Sequence, residues 1–223
     1  ALVGSPVPMV VGSDMKGIAT ELEARTGLPG FGFDTTGTAY YDRGVSAALI
    51  ALLERFAEPS PSVPNTVGIV GATPLDFADG TDIRDLQDAL LERGIEVTAT
   101  LAMGYDLEAL RRAASARVNL AVSRAGFLVS KWMYRRFGTP YLCGLPMGAA
   151  SLKAYFQALG AMLEGELPEP RILKGKPPSE HPEVLVVGEQ VQANAIRCAL
   201  GTEFGVCDIA VGCIFGLEPD LAL

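Results

Sequence analysis

Short apolar runs alternate with helix-period stripes along most of the chain. The runs at 66–70, 95–101, 117–122 and 140–143 have the length and the flanking turn residues of buried strands. Between them, apolar residues recur every three or four positions, which is typical of helices that bury one face. Strands that alternate with helices predict a parallel sheet covered on both sides. We therefore expect an α/β fold, with a Rossmann-like parallel sheet flanked by helices.

Proline-rich segments divide this pattern into parts. Residues 58–65 are interrupted by prolines, and residues 164–182 are rich in proline and charge, as is typical of loops. The last part of the chain contains one β-α-β unit, which cannot bury both of its faces alone. The expected organisation is the end of a first α/β domain at 1–60, a central Rossmann-like domain at 61–165, a linker at 166–182 and the start of a further α/β domain at 183–223.

The charge balance excludes some classes of partner. The 223 residues carry a formal net charge of −8 and no basic block, so nucleic-acid binding is not expected. No apolar run reaches the length of a membrane span. Residues 1–12 are apolar but short and lack a basic region, so no signal peptide is expected. These features predict a cytoplasmic protein that contacts no membrane.

Metal and nucleophile signals are sparse. The four cysteines form no CxxC pair, and the single histidine, His181, lies in a proline-rich segment. Zinc sites and Ser-His catalysis are therefore poorly supported. Cys143 ends the fourth predicted strand, where a thiolate could hold a metal together with ligands from a partner chain. The alternative is a buried, inert strand cysteine.

Two loops are expected at the carboxyl edge of a sheet, because right-handed crossovers place strand-to-helix loops there. One loop is rich in hydroxyls and contains Thr36, Gly37 and Tyr40. The other follows the third strand of the central sheet and contains Ser123 and Arg124. Both loops are candidates to line a cofactor or substrate pocket, and a guanidinium suits an anionic partner. The alternatives are an exposed turn, a helix cap at Ser123 and a surface arginine.

Four short motifs occur in a characteristic order over residues 5–163. They are a Gly-Ser-Asp turn at 12–14 before a helix, Gly27-Leu28-Pro29 followed by Thr36-Gly37, the stretch 116–122 followed by Arg-Phe-Gly-Thr-Pro-Tyr at 136–141, and Pro146-Met147-Gly148. In their order and spacing these motifs resemble subunits of the nitrogenase component 1 family. Residues 184–211 resemble the opening strand, helix and strand of the family's next α/β domain.

The resemblance implies an oxidoreductase subunit that holds an iron–sulfur cluster or related metallocofactor, or none in this chain. It also implies two partners, a second component 1-like subunit and an ATP-dependent iron–sulfur reductase. Three departures from the family pattern bear on the activity. Pro6 stands at a cluster-cysteine position, Ser123 stands where the catalytic nitrogenase subunit has a cofactor cysteine, and no histidine lies near Gly44.

The function expected from the resemblance is reduction of a substrate or a tetrapyrrole by a subunit, or a fragment of one, that works with a partner subunit. Because cluster ligands of the family are missing, enzymatic activity of this chain is left open. One alternative is a non-catalytic scaffold or carrier for metallocofactor assembly. Another is a small-molecule-binding α/β domain without a redox role.

Overall fold

The computed structural model describes residues 2–4, 6–34, 37–166, 178–215, 218 and 221, and these form three parallel sheets with flanking helices. The strands are β1 Leu2–Gly4, β2 Gly32–Asp34, β3 Thr66–Val70, β4 Glu96–Leu101, β5 Val118–Ala121, β6 Tyr141–Cys143, β7 Val184–Gly188 and β8 Ile209–Cys213. The helices are α1 Pro6–Val10, α2 Met15–Thr26, α3 Tyr41–Phe56, α4 Pro74–Phe77, α5 Thr81–Leu91, α6 Leu107–Arg112, α7 Arg124–Phe137, α8 Ala149–Leu163 and α9 Gln190–Phe204, with a 3₁₀ turn at Ala113–Ser115. The predicted α/β fold with a parallel sheet is confirmed.

The central sheet has the strand order β4-β3-β5-β6, and all of its pairs are parallel. The chain winds outward from β3 to β4 and then crosses to the other side of β3 to add β5 and β6. The point between β3 and β5 is therefore a topological switch point, where doubly wound sheets usually bind ligands beyond their carboxyl ends.

Helices bury both faces of the central sheet. Val67, Ile69 and Leu120 pack on one face, together with apolar residues of α5, α8 and α9. Val70 and Leu101 pack on the opposite face, with residues of α3, α6 and α7. Burial on both faces explains why these strands have continuous apolar sequences rather than alternating ones.

Two smaller sheets flank the central one, β1 paired with β2 and β7 paired with β8. Val191 and Ala195 of α9 join the core beside α8, so the β7-α9-β8 unit docks on the central sheet. Leu185 and Val187 on β7 remain largely exposed. Each sheet lies inside one of the predicted ranges 1–60, 61–165 and 183–223, and the division into domains itself stays a prediction.

Side chains cap the first turns of α2 and α4. Asp14 caps α2, with its Oδ1 accepting a hydrogen bond from the Gly17 amide at 2.9 Å. The loop predicted after β3 contains the short helix α4, which Thr73 caps. The predicted linker at 166–182 falls largely on 167–177, outside the described residues. None of the described helices is both long and apolar enough to cross a membrane.

Candidate functional site

A half-open groove of about 940 Å³ lies between α2 and α3, with residues 30–33 at its base. Its lining consists mainly of glycines, alanines and aromatic residues. The lining residues are Lys16, Ala19, Thr20, Gly30, Phe31, Gly32, Phe33, Gly37, Ala39, Tyr40, Tyr41, Arg43, Gly44, Ala47, Ile50, Ala51, Glu54 and Arg55. Both helices contribute small side chains to the lining, Ala19 from α2 and Ala47 and Ala51 from α3. Of the predicted loop residues, Gly37 and Tyr40 line this groove, and Thr36 lies outside the described residues.

Cations outnumber anions in this lining. Lys16, Arg43 and Arg55 contribute positive charge, against Glu54. Arg55 forms an ion pair with Glu23 at 2.5 Å, and Arg43 one with Glu218 at 3.3 Å, both partly exposed. Arginine can share its five donors between a protein carboxylate and a ligand. The groove therefore suits a ligand that is largely apolar and carries one or more anionic groups.

Two tyrosines that line the groove, Tyr40 and Tyr41, contact a third aromatic ring. Phe215 follows β8 in the chain. Its ring contacts those of Tyr40 and Tyr41 edge to face, with centroid distances of 6.0 and 4.8 Å. The Tyr41 hydroxyl donates a hydrogen bond to Asp76, whose other oxygen accepts one from Thr73 Oγ1 at 2.7 Å. Burial, together with the Asp76 carboxylate, raises the pKa of Tyr41, so the phenol stays protonated. We call these three rings the aromatic end wall; Tyr40 and Tyr41 line the groove, and Phe215 packs against them without lining it.

The switch point of the central sheet is filled by the chain itself. Ser123 caps α7 by accepting from the Gly126 amide at 3.1 Å, and its hydroxyl donates to the Gly71 carbonyl at 2.7 Å. Gly71 has a φ of +87°, and a Cβ there would lie 2.4 Å from Gly126 Cα. The loop after β3 and the first turn of α7 thus touch directly and leave no room for a ligand between them.

Arg124 is buried, so the alternative of a surface arginine is wrong. Its side chain is 5% exposed, and its Nε lies 3.3 Å from Asp42 Oδ2, a carboxylate that is 2% exposed. Its Nη1 donates to the Phe215 carbonyl. The anionic partner foreseen for Arg124 is therefore supplied from α3, within the chain. Cofactor binding by Ser123 and Arg124 stays a prediction.

Glu189 joins the first turns of two helices. Its Oε1 accepts from the Arg124 amide at 2.6 Å, at the start of α7. Its Oε2 accepts from the Val191 and Gln192 amides at 2.9 and 3.0 Å, at the start of α9. Burial raises the pKa of Glu189 to about 7, although these amide hydrogen bonds oppose the shift. An internal carboxylate thus occupies the helix N-terminus where an anion binds in many α/β proteins.

The described residues do not fit an iron–sulfur cluster. Among them, no three His, Cys, Asp or Glu side chains lie together in a way that could hold a metal ion. Burial, and secondarily the charge of Glu189, raises the pKa of the Cys143 thiol. This disfavours the thiolate, which is the form that binds metals. A metal-binding role for Cys143 therefore stays a prediction.

Sequence reasoning missed three acidic residues of this region, Asp42, Asp76 and Glu189. Two of them had a signal. Asp76 stands three residues after Thr73, which is a capping-box spacing. Glu189 directly follows β7, so the carboxyl-edge rule that identified Ser123 and Arg124 applies to it equally. Asp42 lacks such a signal, because its partner Arg124 is distant in sequence.

A family model described as nitrogenase component 1 type oxidoreductase matches residues 1–180 of this chain. Among curated proteins, a light-independent protochlorophyllide reductase subunit from Heliobacterium modesticaldum is 30% identical over 114 residues, which is 50% of this chain and 22% of that protein. The corresponding protein from Roseiflexus sp. is 29% identical over 108 residues, 48% of this chain and 19% of that protein. The matched segment thus spans about a fifth of these relatives.

Two solved structures share the fold over nearly the whole chain. A structure described as nitrogenase Cp1 at pH 6.5 aligns with a TM-score of 0.66 and 14% identity, covering 98% of this chain and 55% of the other. A second, described as nitrogenase Cp1 at pH 5, aligns with a TM-score of 0.64 and 16% identity, covering 99% and 48%. At this identity the likeness concerns the fold alone.

Proposed function

The chain belongs to the nitrogenase component 1 type oxidoreductases, and from that premise we propose that it is part of a subunit that binds and reduces a tetrapyrrole. The observation that carries the proposal is the groove between α2 and α3. Its volume of about 940 Å³ is near the upper end of the usual range for small-molecule pockets, roughly 300–1,000 Å³. The relatives that match half of the chain are named for protochlorophyllide, which is a tetrapyrrole.

The chemistry of the lining supports a flat, conjugated ligand. A flat tetrapyrrole ring fits best between surfaces with small side chains. Ala19 on α2 and Ala47 and Ala51 on α3 provide such surfaces. Aromatic side chains at the base and the end of the groove offer edge or face contacts to such a ring. Arg43 and Arg55 can pair with carboxylates at the ring periphery.

The electrons for the reduction are proposed to come from partners. Reducing one carbon–carbon double bond takes two electrons and two protons. We assign electron delivery to an ATP-dependent iron–sulfur reductase and completion of the site to a second component 1-like subunit. Because the described residues do not fit a cluster, the role proposed for them is to bind and orient the ring and to exclude water from its faces.

Titration with protoporphyrin IX tests the proposal on this chain without its partners. The Soret absorbance of the porphyrin is followed as protein is added, for the wild type and for two variants. Ala47→Trp fills the groove from α3, whereas Ala154→Trp places the same side chain on an exposed position of α8. We expect Ala47→Trp to weaken binding at least tenfold and Ala154→Trp to leave it unchanged.

The dimethyl ester of protoporphyrin IX tests the charge argument separately, because it keeps the ring and removes both carboxylates. We expect weaker binding of the ester to the wild type. Equal binding of the diacid to the wild type and to Ala47→Trp would mean that the ring does not lie in the groove, and the proposal would fail. Failure of the wild type to bind the diacid would reject it as well.

A further inference from the structure

Arg124 connects three parts of the molecule that are distant in sequence. Its Nε faces Asp42 on α3 at 3.3 Å, its Nη1 donates to the Phe215 carbonyl after β8, and its amide donates to Glu189 before α9 at 2.6 Å. Both charged side chains of the Arg124–Asp42 pair are at least 95% buried. A buried pair of this kind is costly to break, because the remaining charge stays desolvated.

These contacts lead to the aromatic end wall of the groove. Asp42 lies in the first turn of α3, between the groove-lining residues Tyr41 and Arg43. Phe215, whose carbonyl Arg124 binds, packs its ring on Tyr40 and Tyr41. Arg124 itself is not among the residues that line the groove. Arg124 therefore contacts both segments that carry the aromatic end wall, the first turn of α3 and the Phe215 segment, without lining the groove.

We propose that Arg124 is a positioning residue of the groove, which sets the aromatic end wall by fixing the first turn of α3 and the Phe215 segment together. As regards the ligand, this inference rests on the proposed function. It adds that the shape of the ligand site depends on a residue that does not line the groove, and that Phe215, which follows β8, supports the groove-lining Tyr40 and Tyr41.

A protonation equilibrium accompanies this arrangement, because Glu189 holds the Arg124 amide. Groups from four elements lie near Glu189, namely Tyr41 from α3, Asp76 from α4, Arg124 from α7 and Cys143 from β6. They include one further carboxylate, Asp76, and one cation, whose Nε already faces Asp42. Ionisation of Glu189 thus adds a buried negative charge near Asp76, beside a single arginine. The docked arrangement is favoured when Glu189 carries a proton, and it weakens as the pH rises through about 7.

The first test compares protoporphyrin IX binding by Arg124→Met and Arg124→Lys. Methionine keeps much of the length without the charge, and lysine keeps the charge. We expect Arg124→Met to bind about tenfold more weakly, within the usual range of coupling between distant groups, and Arg124→Lys to recover part of that loss. Arg25→Met is the matched control, because Arg25 forms an exposed pair with Glu21 outside the groove. Equal affinities of Arg124→Met and the wild type would overturn the proposal.

The second test needs no ligand. Hydrogen exchange of the amides at 40–43 is measured between pH 6 and 8 in the wild type and in Glu189→Gln, whose side chain keeps its shape and remains neutral. We expect protection of these amides to fall with pH in the wild type and to stay constant in the variant. The same pH dependence in both proteins would overturn the inference. If the wild type binds no porphyrin, the proposed function fails; faster exchange at 40–43 in Arg124→Met than in the wild type would still support the positioning role, and equal exchange would overturn it.

Discussion

The carboxyl edge of the central sheet and the groove between α2 and α3 contrast in what fills them. At the sheet edge, the Ser123 hydroxyl donates to the Gly71 carbonyl, and the Glu189 carboxylate accepts from the Arg124 amide in the first turn of α7. The groove is lined largely by small and aromatic residues and is open to solvent. It carries more cationic side chains than carboxylates. The usual ligand position of a doubly wound sheet is thus occupied by the protein's own polar groups.

This difference shows how a polar cluster at the expected place can be structural. At the sheet edge, Ser123 and Glu189 bond to backbone groups of the chain, and the buried Arg124 has the Asp42 carboxylate beside it. The groove offers two arginines, Arg43 and Arg55, whose ion pairs with the protein are partly exposed to solvent. A ligand that enters the groove displaces water, whereas a ligand at the sheet edge must displace protein.

Asp42→Ala should lower the free energy of unfolding by about 3–5 kcal/mol, because it removes the carboxylate beside the buried guanidinium of Arg124. Glu21→Ala removes the partner of an exposed arginine and should change stability by less than about 1 kcal/mol. Urea unfolding of both variants measures the difference. Similar losses in the two variants would show that breaking the buried Arg124–Asp42 pair costs no more free energy of unfolding than breaking an exposed pair.

Stability should depend on pH through Glu189. The folded-state pKa of about 7 lies above the ordinary value of 4.5, so the stabilisation is fully present below about pH 4.5 and is lost as the pH rises through 7. The change is on the order of 3 kcal/mol between these limits, at 1.36 kcal/mol per pKa unit. Urea unfolding of the wild type and Glu189→Gln from pH 5 to 8 should give a declining difference between the two. A constant difference would contradict the raised pKa.

Gly126→Ala and Gly44→Ala should act in opposite directions. A Cβ at Gly126 would lie 2.0 Å from the Val70 carbonyl oxygen, so overpacking should cost about 1–3 kcal/mol. A Cβ at Gly44 meets nothing within 4 Å, and alanine in a helix should stabilise the protein by about 0.5–1 kcal/mol. Thermal or urea unfolding compares them. Destabilisation by Gly44→Ala would indicate that the groove is closed in solution.

Arg55→Gln should have the smallest effect on stability, below about 1 kcal/mol, since its pair with Glu23 is partly exposed. Its effect on binding should be selective. The affinity for protoporphyrin IX should fall a few-fold, while the affinity for the dimethyl ester stays the same. An equal loss for both ligands would assign Arg55 a packing role, without pairing to a carboxylate.

The strands of the central sheet could be predicted from the sequence, but the burial and pairing of the charged residues beside it could not. Residues 66–70 could be predicted as a strand because a continuous apolar run ends at Gly71, and the structure gives the strand the same limits. The carboxyl-edge rule correctly placed Ser123 and Arg124 after β5. Burial of Arg124 could not be predicted, because its partner Asp42 is brought near only by packing of α3 on α7.

The groove was only partly predictable, for a similar reason. A hydroxyl-rich loop after a strand pointed to Gly37 and Tyr40, and both line the groove. The opposite wall comes from α2, whose Ala19 and Thr20 carry no chemical signal in the sequence. Phe215 at the end wall follows β8 and reaches Tyr41 through the tertiary fold alone. Local patterns therefore identified one rim of the groove and left its depth and its end unknown.

The strand order of the central sheet also bears on how the chain is synthesised. β3 can pair with β4 soon after both leave the ribosome, but its other edge waits for β5, about 50 residues later. At a translation rate of roughly 5–20 residues per second, that edge stays open for several seconds. An apolar strand with a free edge is a template for wrong pairing. The nascent chain is therefore most exposed to aggregation between the appearance of β3 and that of β5, which makes this interval the time at which a chaperone would have most effect.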